Sequence, residues 1–334
     1  MPQPAVPLVR VERGGIEEAD HLGHVVVADA AGRIVSALGE ATRITYYRSC
    51  LKPFQTLGSL RSGILERFQL EPQHIAIMSA SHNGERRHVE VVRDLLHRTD
   101  IPESALQCGA HWPYYEPAAA VVRGEMDEPI PIFNNCSGKH AGMLAAAHAL
   151  GAPLESYLDL DHPVQQRIRD ATAEFTGLQS NAIQYGIDGC SAPNAAVPLQ
   201  AMARSFAALV SSRDETARRI VDAMTGEPYL VGGTERFDTR LMEITRGRLL
   251  AKGGAAGAHC TANRHLGLGL AIKLDSGDGT WTPVAVVAAL DQLGWLEPGE
   301  REALASFAEP SLRNYGRLVV GSVRPLLQLS VTAM

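Results

Sequence analysis

Residues 8–11 and 24–29 are short apolar runs bounded by polar and glycine positions, and both read as β-strands. Ala30-Ala31-Gly32-Arg33 is a turn after which residues 34–38 pair back, giving an antiparallel hairpin. The period then changes. Phe54, Leu57, Leu60 and Ile64 recur at helical spacing, and helical patterns dominate from about residue 68 to residue 219. Residues 85–97 carry Val89, Val92 and Leu96 on one face. Residues 141–150 are apolar nearly all round, which predicts a buried helix. Residues 163–175 and 195–209 read as further helices. Strand patterns return at 249–252 and 266–274. Two helices follow near 283–293 and 300–307, and 318–323 and 326–331 read as closing strands.

The order is strands, a helical block, then strands. If the outer pieces share one sheet, the fold class is α/β (α+β), a mixed antiparallel sheet flanked by helices with a helical insertion. Residues 1–66 and 235–334 would form the sheet subdomain, and 67–234 a mainly helical subdomain. The two would act as one functional unit, with a site in the groove between them. There is no internal repeat.

The chemistry gathers around Arg48-Ser49-Cys50-Leu51-Lys52-Pro53. Proline is tolerated in a helix only in its first turn, so Pro53 places Ser49 at or just before a helix N-terminus. Positions i and i+3 share a helix face, which puts the Lys52 amine within reach of the Ser49 hydroxyl. A serine beside an amine base at a helix start suits acyl transfer. A capping serine followed by a surface lysine has the same spelling. Lysine usage tips the balance. Of 31 basic residues only Lys52, Lys139, Lys252 and Lys273 are lysine. Generic surface charge is therefore written as arginine, which cannot deprotonate, whereas lysine can be tuned towards neutrality. Lys273 lies in a strand-like run and reads as structural.

Lys252-Gly253-Gly254 places a lysine at a strand end where glycines let a substrate approach, or forms a tight turn. Ser81, in Ser79-Ala80-Ser81-His82-Asn83-Gly84, is either a second hydroxyl at the site or a cap for the following helix; His82 reads as a loop or cap residue. Cys136-Ser137-Gly138-Lys139-His140 and Cys190 form a possible metal site whose two thiolates suit Zn²⁺, but Cys-x-x-Lys is not a standard zinc pattern, because lysine must lose its proton to coordinate, and read alone the two cysteines fit buried free thiols better. Asp188 either orients a lysine or a substrate amino group, or shapes a turn.

Hydrophobic content of 45% with 20% charged residues describes a globular chain with a sizeable core. A net charge of −6 gives no reason to expect nucleic acid or an acidic membrane as partner. No apolar run approaches the ~20 residues of a membrane span. The N-terminal residues lack the pattern of a secretory signal. Five cysteines, odd in number and thinly spread, argue against a disulfide framework. A cytoplasmic protein with free thiols is expected.

Taken together, the motifs around Ser49, Ser81-His82-Asn83-Gly84-Glu85, Asn134-Asn135-Cys136-Ser137-Gly138-Lys139-His140, Gly186-Ile187-Asp188-Gly189-Cys190 and Lys252-Gly253-Gly254 resemble the thermolabile, rhizobial-type L-asparaginases. The resemblance spans nearly the whole chain, which is short between Cys190 and Lys252. It implies a fold similar to serine β-lactamases, penicillin-binding proteins and glutaminases. It also implies a homodimer that hydrolyses L-asparagine to L-aspartate and ammonia. By position it makes Ser49 with Lys52 one catalytic pair and Ser81 with Lys252 the other. Arg48, His82, Asp188, Gly253 and Gly254 are then expected at the substrate. Cys136, Lys139 and Cys190 would hold Zn²⁺ with a water, an ion that orients substrate or structure rather than activating water. A glutaminase or other amidase, a zinc-dependent amidohydrolase with bystander serines, and a non-catalytic binding protein are the rival readings.

Overall fold

The apolar run at residues 24–29 lies at the centre of a sheet in a computed structural model that describes residues 3–330. The strands are β1 (Val6–Arg13), β2 (Ile16–Asp29), β3 (Ile34–Leu38), β4 (Ile44–Tyr46), β5 (Gln184–Ile187), β6 (Pro193–Pro198), β7 (Leu249–Gly253), β8 (Ala258–Asn263), β9 (Leu268–Leu274), β10 (Ser311–Arg313) and β11 (Val319–Pro325). Eight of them form one antiparallel sheet in the order β10-β11-β1-β2-β9-β8-β7, with β3 also on β2. N-terminal and C-terminal strands therefore do share one sheet, which meets the condition that the strand–helix–strand order left open. Residues His24 to Ala28 of β2 are buried without alternation, the mark of a strand covered on both faces. The Leu199–Ser211 helix packs on β2, β8 and β9, and the Thr282–Gln292 helix on β1, β8, β9 and β11.

Two units divide the chain. The sheet unit takes the residues up to Cys50, Ala196–Ser211 and those from Arg240 onward; the helical unit takes Leu51–Ala195 and Ser212–Thr239. This differs from division at residues 66 and 234 because the Lys52–Leu60 helix packs among helices while Leu199–Ser211 covers the sheet. In the helical unit every residue of Lys52–Leu60 is buried, against the Ser137–Leu150 and Pro163–Thr176 helices. Ser137–Leu150 is buried without a break through Ala147; the nearly all-round apolar run from residue 141 predicts this, while Ser137, Lys139 and His140 are buried besides.

Three local expectations are corrected. Residues 195–209 are not one helix: β6 precedes the helix, its end pairing with β4 so that Thr45 lies opposite Val197. Pro193 and Pro198 bracket this stretch, and the residue before a proline is pushed out of the α region, so alanine's helix propensity is overridden. Residues 300–307 split at Leu304 into two short helices, Pro298–Ala303 and Ala305–Ala308. Residues 326–330 form no strand, and Val331 lies outside the described residues. Their backbone groups are met differently: Gln292 donates to Leu327 O at 3.0 Å and accepts from Leu329 N at 2.8 Å.

Candidate active site

Arg48–Leu51 is a single 3-10 turn, and the α-helix begins only at Lys52 with Pro53 in its first turn. Ser49 is half-buried. Arg48, just before it, has φ 51°, a left-handed conformation that a bulky residue adopts at a cost of ~1–3 kcal/mol. Tyr47 anchors the turn, its hydroxyl 2.7 Å from Ser205 Oγ of the Leu199–Ser211 helix. The end of β7 runs against the same turn. Cys50 Sγ donates to Lys252 O at 3.1 Å, and a Cβ on Gly254 would lie 2.9 Å from Tyr47 O and 3.2 Å from Cys50 Sγ. Only glycine lets the strand end approach this closely. Lys252 is fully buried, opposite Cys260 on β8, and its Nζ donates to Gly253 O at 2.7 Å. The Lys-Gly-Gly segment and the Ser49 turn are thus brought together. Lys273 does what its sequence setting predicts, donating to Ala256 O at 2.7 Å in a structural role.

In the helical unit, Lys52 Nζ donates to Ser81 Oγ at 3.0 Å, to Asn135 O at 3.2 Å and to Ala80 O. Ser81 is therefore a partner of the Ser-x-x-Lys amine and not a helix cap; Glu85 caps the Arg86–Arg98 helix. His82 is wholly buried, with both ring nitrogens committed: Gly84 N donates to Nδ1, and Nε2 lies 3.1 Å from Ser137 Oγ.

Beside this pair, Cys136, Lys139 and Cys190 converge. Lys139 Nζ lies 2.9 Å from Cys190 Sγ. A hydrogen bond from Cys190 and the nearby charges of Lys52 and Lys139 hold the Cys136 thiol well below its usual range, against its burial. Cys190 is pushed up, first by that same hydrogen bond and then by burial. Burial opposes charge on Lys139, but the Cys190 and Cys136 sulfurs outweigh it and raise its pKa, with Asp188 adding to them. Asp188 accepts from Gly189 N at 2.9 Å and Asn194 Nδ2 at 3.0 Å. Two buried sulfurs and the Lys139 nitrogen fit a soft divalent ion once the amine has shed the proton that the metal-free cluster favours. No three His, Cys, Asp or Glu gather as a metal-binding group among the described residues, so an ion here depends on Lys139 as well as the thiols.

Sequence reasoning missed the support around this cluster. The Tyr157 hydroxyl lies 2.6 Å from His140 Nδ1 and accepts from Gln107 N at 3.0 Å. His82 stacks on His88, and His88 on Tyr229, with ring centroids 5.1 and 4.9 Å apart. Glu85 and His88 form a reciprocal cap for the Arg86–Arg98 helix, which the usual Ser/Thr-x-x-Glu/Gln signature does not reveal in the sequence. Burial lowers the pKa of both His82 and His88, so the native state keeps them neutral while the unfolded chain takes up protons below about pH 6.5. Stability should therefore fall as pH drops from 7.5 to 5.5. Equal denaturant midpoints at the two pH values would contradict this.

Comparison with known proteins now gives the class. The chain matches the L-asparaginase II family over residues 9–325 and belongs to that family. It is an asparaginase-type hydrolase. No curated protein matches it in sequence. Among solved structures it is similar to a β-lactamase from Mycobacterium bovis, at 15% identity and TM-score 0.40 over 85% of this chain and 94% of that one. It is also similar to Mglu, at 16% identity and TM-score 0.36, over 82% of this chain and 61% of Mglu's own length. A third is the hydrolase EstCE1, which has promiscuous acyltransferase activity, at 11% identity and TM-score 0.37 over 85% and 93% of the two chains. No described helix is long and apolar enough to cross a membrane.

Proposed function

We propose that the chain hydrolyses L-asparagine to L-aspartate and ammonia through a serine ester. The observation that carries this reading is the buried amine of the Ser-x-x-Lys motif hydrogen-bonded to the hydroxyl of the second motif, Lys52 to Ser81. In its neutral form, which burial and a neighbouring cation favour, Lys52 takes the Ser49 proton as Ser49 Oγ bonds to the side-chain amide carbon. Backbone N–H groups at the start of the Lys52–Leu60 helix stabilise the oxyanion, at about 3–4 kcal/mol per donor where such donors have been removed. The proton passes from Lys52 through the Ser81 hydroxyl to the amide nitrogen, the C–N bond breaks, and ammonia leaves. Water then gives a proton to Lys52 and attacks the β-aspartyl ester, returning Ser49.

Lys252 lends charge beside the Ser49 turn. Arg48 and Asp188 supply opposite charges for the substrate's α-carboxylate and α-ammonium, and Gly253 and Gly254 offer backbone there. His82 fixes the Ser81 loop from behind. Cys136, Lys139 and Cys190 would hold Zn²⁺, whose field orients the substrate; a set rich in thiolate weakens its power to acidify water. The active protein would be a homodimer, which light scattering checks. A reducing cytoplasm suits its five free, buried cysteines.

Ammonia release from a panel of L-asparagine, L-glutamine and simple amides tests the reading. L-asparagine should be the fastest substrate, and Ser49→Ala should abolish its turnover. Faster release from glutamine would make the chain a glutaminase. Undiminished turnover in Ser49→Ala would support the zinc-dependent reading, or assign the attack to Ser81 if Ser81→Ala alone is dead.

A further inference from the structure

The segment Val231-Gly232-Gly233-Thr234 has no part in the chemistry above, yet it holds the Ser81 loop at two points. Ser81 N donates to Val231 O and Asn83 N to Gly232 O, each at 2.9 Å. One buried carboxylate ties the segment down. Glu85 Oε1 accepts from Thr234 N at 2.8 Å and Asn83 Nδ2 at 3.1 Å, and Oε2 accepts from Thr234 Oγ1 at 2.7 Å and Tyr229 OH at 3.1 Å. Asn83 Nδ2 also reaches Thr234 O at 2.9 Å. Gly233, at φ 115°, packs directly on this carboxylate: a Cβ there would come within 2.5 Å of Glu85 Oε1 and 2.8 Å of Asn83 Nδ2. A helix cap needs none of these long-range bonds.

We propose that Glu85 is a positioning residue. It clamps Val231–Thr234 against the Ser81 loop so that the Ser81 hydroxyl stays at hydrogen-bond distance from Lys52. The role rests on the Ser–Lys reading, but it is one of hydrogen bonding and not of charge, which makes a sharp forecast for the amide isostere. In Glu85→Gln the side-chain oxygen can still accept from Thr234 N and Asn83 Nδ2. Its NH₂ can donate to the Thr234 and Tyr229 hydroxyls, which accept as readily as they donate. In Glu85→Ala those donors lose their acceptor.

The test pairs kinetics with hydrogen exchange of the Ser81 and Asn83 amides. Glu85→Ala should lower kcat by about 10- to 100-fold, as sub-ångström displacement of a reacting group does, with KM within about two-fold, and should speed exchange at both amides. Glu85→Gln should restore kcat to within about three-fold of wild type and keep both amides protected. Gly233→Ala, which wedges the clamp open with the carboxylate in place, should behave like Glu85→Ala and stands in for it if that variant does not fold. Protected amides in a folded Glu85→Ala or Gly233→Ala would overturn the clamp. So would a Glu85→Gln protein that loses as much kcat as Glu85→Ala with its amides still protected. Should wild type release no ammonia from asparagine, the functional reading falls, while exchange still decides the clamp.

Discussion

Lys52→Met should remove nearly all turnover, by roughly 10³- to 10⁴-fold in kcat, while leaving a folded protein. Methionine keeps most of the volume of a side chain that is 1% exposed, so the core around the Lys52–Leu60 helix is not hollowed out. What disappears is the amine that hydrogen-bonds Ser81 Oγ, Asn135 O and Ala80 O. Leaving such buried acceptors unmade costs about 1–3 kcal/mol each at most, which should lower the melting temperature without unfolding the chain. Lys52→Arg should rescue nothing, because a guanidinium is larger, planar and permanently protonated. Lys273→Met is the matched control. Its amine donates to the backbone carbonyls of Ala256 and Leu274 in the sheet unit, and kcat should stay within about two-fold. Asparaginase assays with circular dichroism on the three proteins decide the matter. More than a tenth of wild-type kcat in Lys52→Met would remove lysine as the base.

How far the sequence reaches is visible in these same lysines. Their scarcity, and the motifs three of them stand in, are readable without coordinates. So are β1, β3, β7 and β9, and the helices at 86–98 and 163–176, because each has a clean period or a proline at its start; of the helix at 137–150 only the part from residue 141, apolar nearly all round, is legible, and its first turn reads as loop. What escaped was whatever depends on distant partners. β8, Ala-His-Cys-Thr-Ala-Asn, is fully buried yet has no apolar alternation, since sheet neighbours on both sides hold it. β6 reads as helix locally and becomes strand because β4, some 150 residues earlier, pairs with it. The Glu85 clamp joins residues about as far apart. The Ser81 loop drew attention by composition, but that its hydroxyl would meet Lys52 is a fact of packing between helices, which no local pattern encodes.

Replacing Cys190 with serine should empty the metal site before it stops the reaction. The protein as purified is expected to carry about one zinc per chain, ligated by Cys136, Lys139 and Cys190. Loss of a thiolate ligand should weaken binding by at least the ~10- to 100-fold that outer-shell changes alone produce. Because thiols and amine must shed protons to coordinate, retention should improve as pH rises and fail first on the acid side. Cobalt substitution gives a readout independent of turnover: a sulfur-to-metal charge-transfer band in wild type, weakened in Cys136→Ser and Cys190→Ser. Lys139→Met tests the amine, and it should lose metal while keeping both sulfurs buried. If the ion orients substrate, chelation and all three variants should raise KM more than they lower kcat. Abolition of kcat with unchanged substrate binding would instead assign the ion to water activation, and a wild-type protein that purifies without metal and cannot take up cobalt would leave Cys136 and Cys190 as the buried thiols that their residue types alone suggest.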